Sequence, residues 1–188
     1  ADAPPVLAPI GAEEQRRFRR GLLIHRLLQV LPELPDPNRG AAAARLLQRW
    51  ARELADDERR KLADETLRVL RSPDLADLFG PDGRAEVPVI GRIGKRIVAG
   101  QVDRLVVRQE AVTIVDFKTN RPPPRLVDDV PAGYVRQMAA YRAVIRRIYP
   151  GRPVRCALLW TDGAFATILP DAMLDRADPT REESAPPS

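Results

Sequence analysis

The chain has 188 residues, of which 44% are hydrophobic and 30% charged, and its formal net charge is +5. This composition suits a packed domain rather than a disordered segment, and the basic excess fits a polyanionic partner. No apolar run approaches the roughly 18 residues that a membrane span needs, so no membrane association is expected. The single cysteine, Cys156, excludes internal disulfides, cysteine-ligated zinc and iron–sulfur clusters held by this chain alone.

The N-terminal segment is rich in proline and alanine. We predict that residues 1–13 form a linker, and the missing initiator methionine suggests a piece of a longer protein, with a processed mature chain as the alternative. No basic stretch followed by an apolar one opens the chain, so a signal peptide is not expected and a cytoplasmic location is predicted. Residues 14–177 are predicted to form one folded domain, and residues 178–188 a frayed tail.

Helical periodicity dominates the first half of the chain. Apolar residues recur at three- and four-residue spacing, and prolines separate the segments in which they do so. The predicted helices cover residues 12–31, 39–54, 56–71 and 72–79. One side of the first helix carries Phe18, Leu22, His25 and Gln29.

β-branched residues take over after a turn at residues 80–83. Strands are predicted over residues 84–90, 95–107, 111–118, 154–160 and 164–169, with a helix over residues 131–149. The last two strands form a hairpin around Asp162-Gly163, a strong two-residue turn signal. This order predicts an α/β or α+β fold, in which a mixed central sheet is flanked by helices and the N-terminal helices are an elaboration.

One lysine stands at the end of an otherwise apolar strand. Only three of the 31 basic residues are lysines, so the position of Lys118 needs a reason. Period-two alternation puts Asp116 on the same face as Lys118. The preceding strand carries a lone acid, Asp103, and an antiparallel turn near Gln109 would bring it next to Asp116. Two adjacent carboxylates repel each other unless positive charge lies between them.

These residues suit phosphodiester hydrolysis. Mg²⁺ binds carboxylate oxygens, keeps several waters, polarises a phosphate and lowers the pKa of a bound water. An ammonium adds a point charge near the attacking water or the phosphate, and this is the role expected for Lys118. The pattern therefore predicts a Mg²⁺-dependent DNA nuclease, with Mn²⁺ as a possible substitute.

Five short motifs in order carry a family resemblance. They are Gly21-Leu22-Leu23-Ile24-His25, Ala85-Glu86-Val87-Pro88, Gly100-Gln101-Val102-Asp103-Arg104, Asp116-Phe117-Lys118-Thr119 and Gln137-Met138-Ala139-Ala140-Tyr141. Together they resemble the PD-(D/E)xK nuclease superfamily, and more closely its RecB-like family. The resemblance covers residues 21–141 and extends to the hairpin at residues 153–169, and it implies a restriction-endonuclease-like core.

The resemblance also implies roles for individual residues. The implied metal ligands are His25, Asp103, Asp116 and the backbone carbonyl of Phe117. Lys118 would be the catalytic base or charge stabiliser, and Glu86 an accessory acid. Gln137 and Tyr141, four apart on a helix, would position Lys118 or a DNA phosphate, and Tyr134 lies on their face.

Within the RecB-like family, the chain is most similar to the C-terminal nuclease domains of AddA-type helicase–nucleases. That resemblance implies exonuclease action on DNA, in the main single-stranded, during double-strand-break repair and recombination. It also implies ATP-binding helicase domains upstream in the same protein and an AddB-type partner subunit. The alternatives are a non-catalytic DNA-binding or subunit-docking module and a stand-alone phage-type exonuclease of the same superfamily.

Each candidate residue also has a purely structural interpretation. His25 fits a buried helix face, Asp103 and Asp116 fit solvated strand ends, and Glu86 fits an edge strand. Gln137 and Tyr141 could only pack their helix on the sheet. Arg104 is expected to form a salt bridge, and Cys156 to be a small buried hydrophobe. One set of arginines could contact DNA phosphates or simply form a solvated helix face: Arg16, Arg17, Arg19 and Arg20. A second set, Arg121 and Arg125, is expected to contact DNA.

Overall fold

A computed structural model describes residues 11–180 of the chain. The helices are α1 (Ala12–Val30), α2 (Asp36–Trp50), α3 (Asp56–Arg71), α4 (Ala132–Ile148) and α5 (Asp171–Arg176). The strands are β1 (Gly83–Ile93), β2 (Arg96–Val107), β3 (Val112–Lys118), β4 (Val154–Trp160) and β5 (Phe165–Ile168). Residues 1–10 of the predicted linker and 181–188 of the predicted tail lie outside the described residues, so the domain limits stay a prediction.

The five strands form one mixed sheet in the order β1-β2-β3-β4-β5. Neighbouring strands are antiparallel except β3 and β4, which run parallel because α4 connects them as a crossover. The predicted mixed sheet with flanking helices is confirmed. No helix of the described part of the chain is long and apolar enough to cross a membrane.

Helices cover both faces of the sheet, and each face has its own hydrophobic core. On one face, α4 and α5 pack against the strands through residues such as Met138, Ile145 and Leu174. On the other face, α1, α2 and α3 pack through residues such as Leu27 and Leu47. Strand β3 supplies side chains to both cores, alternating between them, as its continuous apolar run predicts. The candidate residues come from the strands that separate the two cores, β1 to β3, and from one helix on each face, α1 and α4.

Several element limits differ from the prediction. Helix α2 begins at Asp36 rather than residue 39, because Pro37 is compatible with the first helical turn, and it ends at Trp50 rather than residue 54. The segment Pro73–Leu78 is a 3-10 helix. Helix α5 was not predicted, since six residues are too few to show a period. It is held to α4 by the buried Arg142, which pairs with Asp171 and Asp175.

The regular alternation of side chains in the β1–β2 pair is interrupted near Glu86 and Asp103. Val102 and Leu105 both pack in the α4-side core although they are three residues apart, so strict alternation is broken between them. Glu86, opposite this break, has a φ of +53°, a left-handed conformation that costs energy in a non-glycine residue. Such strain concentrates at functional sites, and here it falls at one of the predicted acids, Glu86.

Arg104 is buried beside this break, and within residues 11–180 it does not form the predicted salt bridge. It donates hydrogen bonds to the backbone carbonyls of Leu78, Gly80 and Gly83. The prediction was wrong because it counted only acidic partners, whereas the turn before β1 leaves carbonyls that a guanidinium can satisfy. Arg104 thereby fastens the start of β1 to the centre of β2.

Candidate active site

Three acids form a row across neighbouring strands. Glu86 and Asp103 lie between the paired residues Ala85–Arg104 and Val87–Val102 of β1 and β2. Asp103 and Asp116 lie one residue beyond the last β2–β3 pair, Arg104–Val115. Like charges at adjacent strand positions destabilise a sheet, so the row is an electrostatic cost to the fold. A cost of this kind, at a strained point of the sheet, indicates a site selected for something other than stability.

Asp103 connects the row to α1 and to β3. Its Oδ1 lies 3.2 Å from Nδ1 of His25, and its Oδ2 accepts a hydrogen bond of 2.6 Å from the backbone N–H of Phe117. The imidazole of His25 also meets the ring of Phe117 edge-on, with centroids 5.6 Å apart. His25 therefore reaches the acids from the helical layer, as its place in the first motif implied.

Asp116 is buried, with 6% of its surface exposed. Lys118 Nζ lies 2.5 Å from Asp116 Oδ2, so the buried carboxylate is paired with the ammonium. Burial raises the pKa of Asp116, and this contact opposes that rise. A buried charge is tolerated when an opposite charge lies next to it.

Helix α4 holds the ammonium of Lys118 on the other side. Gln137 Oε1 accepts a long hydrogen bond of 3.4 Å from Lys118 Nζ, and Gln137 Nε2 donates one of 3.4 Å to the Tyr141 hydroxyl. The ammonium also lies 3.8 Å from the ring centroid of Tyr134, a cation–π contact. Lys118 is therefore surrounded by one acid, one amide and one aromatic face.

Gly100 explains how Tyr141 comes so near the sheet. A Cβ built on Gly100 would lie 2.2 Å from the Tyr141 hydroxyl oxygen and 2.8 Å from two of its ring carbons. The first glycine of the third motif thus makes room for the aromatic residue of the fifth. This contact links β2 to the α4 residues that surround Lys118.

The electrostatics of the row appear in its pKa values. Burial raises the pKa of Asp116 above its ordinary value, and the negative charge of Asp103 adds to this against the attraction of Lys118. Burial and the charge of Asp103 likewise raise the pKa of Glu86. Burial alone would lower the pKa of His25, but its hydrogen bond to Asp103 and the charges of both aspartates outweigh burial and raise it. Burial is the largest cause of the two carboxyl shifts, and the negative charge of Asp103 contributes to all three shifts.

The donors of the site decide whether a divalent cation fits it. Among the described residues, no three His, Cys, Asp or Glu side chains are arranged so that they could hold a metal ion. In this conformation Asp103 is engaged by His25, and Asp116 by Lys118. The donors nevertheless suit Mg²⁺ or Mn²⁺ in kind, because they are carboxylates and an imidazole, and burial together with the charge of Asp103 raises the pKa of Asp116. The carbonyl of Phe117 stays a predicted ligand.

The structure brings the predicted residues together unequally. His25 and Asp103 form one pair, and Asp116, Lys118, Gln137 and the Tyr141 hydroxyl form a second chain of contacts. The two sets meet at Phe117, which lies between Asp116 and Lys118 and whose backbone N–H donates to Asp103. Glu86 has no side-chain hydrogen bond among the described residues and joins the row by its register position and charge. The arginines of α1 are largely paired: Arg17 with Glu13, Arg19 with Glu53 and Arg20 with Glu65.

Sequence reasoning missed Glu65. This α3 carboxylate is 1% exposed and binds Arg20, Arg121 and the Thr161 hydroxyl next to the end of β3. A signal was present, because Glu65 falls at helical spacing among the apolar residues of α3. An acid on an apolar face requires buried partners.

Comparison with known proteins gives one family match. The family model described as PD-(D/E)XK nuclease superfamily matches residues 6–184. No curated protein matches the chain significantly. Two similar structures have been solved. SSO0001 is 12% identical with a TM-score of 0.35, and the match covers 94% of this chain and 89% of SSO0001. Protein VC1899 from Vibrio cholerae is 16% identical with a TM-score of 0.35, and the match covers 92% of this chain and 51% of VC1899. Likenesses this low carry no argument about function.

Proposed function

Because the chain belongs to the PD-(D/E)XK nuclease superfamily, we propose that it hydrolyses DNA phosphodiester bonds with Mg²⁺ at the row Glu86, Asp103 and Asp116. The observation that carries the proposal is the close pair of Asp116 and Lys118, with Nζ 2.5 Å from Oδ2, beside Asp103, whose negative charge adds to burial in raising the pKa of Asp116. Two neighbouring carboxylates and an ammonium are the groups that would hold a metal ion and stabilise a developing negative charge.

The metal would be held by Asp103 and Asp116, with His25 and the Phe117 carbonyl as the further ligands that the motif resemblance implies. When bound, it would polarise the scissile phosphate and lower the pKa of a coordinated water. His25 and Asp103 are already in contact, so the imidazole is oriented toward the row before any ligand arrives. Glu86 extends the negative surface of the row by one strand.

Lys118 would stabilise the charge that develops on the phosphate or orient the attacking water. The groups around it prevent it from swinging into solvent: its side chain is 13% exposed and contacts Asp116, Gln137 and the Tyr134 ring. A lysine held in this way loses little further side-chain entropy when the substrate binds. Gln137 and Tyr134 are therefore assigned as residues that position the ammonium.

Single-stranded DNA is the proposed substrate form. Phe18 is 69% and Leu22 50% exposed on the side of α1 that also carries His25, seven and three residues before it. Exposed aromatic and aliphatic side chains beside a nuclease site offer unpaired bases a stacking surface, which a duplex cannot use. The resemblance to AddA-type nuclease domains supports the same substrate, because a helicase would deliver one strand to the site.

Cleavage by the purified chain tests the proposal. With Mg²⁺ it should cut a labelled single-stranded oligonucleotide, and both Asp116→Ala and Lys118→Ala should lose at least about a hundredfold in rate, as the removal of a charge-stabilising group does. Lys61→Ala is the matched control, since Lys61 is an exposed lysine on α3 paired with Asp57. If Lys118→Ala cuts as fast as Lys61→Ala, the site is wrong.

Calorimetry with Mn²⁺ separates the enzyme from a non-catalytic DNA-binding module. The proposal expects Mn²⁺ binding that Asp116→Ala removes, whereas DNA affinity without metal binding would favour the module. The helicase context and the AddB-type partner are proposed from the motifs alone. The complete open reading frame tests them: helicase motifs upstream would support them, and their absence would favour a stand-alone exonuclease.

A further inference from the structure

The carboxylate of Glu65 lies in the helical layer, outside the row of acids. It is 1% exposed on α3 and has three partners from three other parts of the chain. Arg20 of α1 donates to its Oε1 at 2.6 Å, the Thr161 hydroxyl after β4 donates to Oε1 at 2.6 Å, and Arg121 donates to its Oε2. A buried charge is tolerated only with such partners, so the four side chains form one unit.

Two partners of Glu65 also bind the backbone that surrounds Lys118. The backbone N–H of Thr161 donates to the carbonyl of Lys118 at 3.0 Å, and Arg20 donates from its other terminal nitrogen to the carbonyl of Thr119 at 3.1 Å. Glu65 thus fixes two consecutive backbone carbonyls: that of Lys118 through Thr161, and that of Thr119 through Arg20. Among the described residues, Arg20 is the side chain that donates to the Thr119 carbonyl, and the Lys118 carbonyl is bound by a backbone N–H.

Gly21 fits the same arrangement. A Cβ on Gly21 would lie 3.2 Å from the Thr119 hydroxyl, so α1 and the end of β3 are in close contact where Arg20 reaches across. Arg121 completes the group on the solvent side: it is 52% exposed and its Nε lies 2.9 Å from Asp162. The turn after β3 is therefore held from α1, from α3 and from the β4–β5 turn.

We infer that Glu65 is a positioning residue for Lys118. It is not a ligand or an acid in the reaction; it sets the place of the Lys118 backbone through Thr161 and Arg20, and so the approach of the ammonium to Asp116. This inference rests on the proposed nuclease function. It differs from it because it concerns a carboxylate in the helical layer, reached through two intermediaries.

Glu65→Gln is the direct test, because the amide keeps the size of the side chain but removes its charge and one acceptor. We expect kcat to fall by roughly 10- to 100-fold with KM for the oligonucleotide nearly unchanged, since loss of a residue that supports a reacting group costs about that much. The control is Asp64→Asn, an exposed acid next to Glu65 on the same helix, which should match the wild type. In a Lys118→Met background, Glu65→Gln should cause no further loss.

A second variant and a second measurement keep the inference testable without cleavage. Thr161→Val keeps the shape of the buried side chain and its backbone N–H but removes the hydroxyl bond to Glu65. In both variants, hydrogen exchange at the Thr161 amide, which binds the Lys118 carbonyl, should accelerate at least about tenfold, while amides in the centre of α4 exchange as in the wild type. Uniformly faster exchange would indicate general destabilisation and overturn the inference, as would unchanged exchange at Thr161.

The outcomes also separate the inference from the proposed function. If Asp116→Ala abolishes cleavage but Glu65→Gln leaves it intact, the inference is contradicted and the nuclease assignment is supported. Faster exchange at Thr161 in a chain that does not cut DNA would support the positioning of Lys118 by Glu65 and contradict the nuclease assignment.

Discussion

Gly100→Ala tests how tightly the third and fifth motifs are packed together. The new Cβ would lie 2.2 Å from the Tyr141 hydroxyl oxygen and 2.8 Å from two ring carbons, well inside normal contact, and Tyr141 is only 7% exposed. Gly100 is not in the left-handed region, so alanine causes no backbone strain and the effect is steric. Either the α4 side chain or strand β2 must shift.

The expected cost follows from two opposing terms. Overpacking in a core costs about 1–3 kcal/mol, and replacing a strand glycine returns roughly 0.5–1 kcal/mol of chain entropy. The net loss is therefore about 0–2.5 kcal/mol, centred on about 1 kcal/mol, and since each kcal/mol lowers Tm by roughly 2–4 °C in a chain of this size, a fall of roughly 2–4 °C is expected. Because Tyr141 accepts the bond from Gln137, nuclease activity should fall as well.

Thermal and urea unfolding followed by tryptophan fluorescence measure the effect. Gly133→Ala is the matched control, because nothing lies within 4 Å of its added Cβ and it lies in α4, where alanine is favoured. Gly100→Ala/Tyr141→Leu should recover part of the loss, since leucine does not extend to the clashing atoms. If Gly100→Ala unfolds at the same temperature as Gly133→Ala, the packing argument is refuted.

Asp116→Asn should raise the urea midpoint of the metal-free protein. Burial raises the pKa of the Asp116 carboxyl despite the attraction of Lys118, so folding disfavours the charged form that asparagine cannot adopt. A carboxyl whose pKa is raised by folding contributes stability below its ordinary pKa of 3.8, and this contribution is lost as the pH rises through the pKa of the folded state. The difference in urea midpoint between the variant and the wild type should therefore widen as the pH rises above 3.8. Parallel pH profiles of the two proteins would contradict the assignment. Cys156 is fully buried and burial raises its pKa to about 12, so a thiol reagent at pH 8 should modify the native protein far more slowly than the urea-unfolded protein; equal rates would contradict its burial. Phe18→Ser should weaken binding of single-stranded DNA by roughly 5- to 150-fold, the loss of one stacked base, with duplex binding unchanged. Ile148→Ser, at another exposed apolar residue, is its control, and equal losses in the two variants would remove the stacking role of Phe18.

The strands and most helices were predictable from local sequence, because their periods are long enough to read. Strand β4 was predicted at its observed limits, Val154–Trp160, and so was α3, at Asp56–Arg71. The approach of Asp103 to Asp116 was also predictable, since the short turn between β2 and β3 leaves one antiparallel register that suits both apolar faces. Local patterns sufficed wherever the partners are close in sequence.

The missed features depend on contacts that sequence spacing does not encode. Glu65 meets Thr161, 96 residues away, and Arg20, 45 residues away. The positive φ of Glu86 occurs where the alternation of β2 is interrupted between Val102 and Leu105, and a strict period of two predicts neither. The sequence marked Gly100 as part of a motif, but only the packing of Tyr141 explains why a side chain cannot stand there.

The two-sided use of β3 and β4 has a consequence for synthesis on the ribosome. The core that buries α1, α2 and α3 is closed by strand residues such as Phe117 and Leu159. At about 5–20 residues per second, more than 80 residues after α3 take roughly 4–17 s to translate. During that interval the apolar face of the first three helices is at most partly covered, because β3 and β4 both supply residues to this core and β4 is translated after β3. We therefore expect the nascent chain to expose apolar surface until β4 leaves the exit tunnel, and slowly translated codons between α3 and β4 to lengthen that exposure.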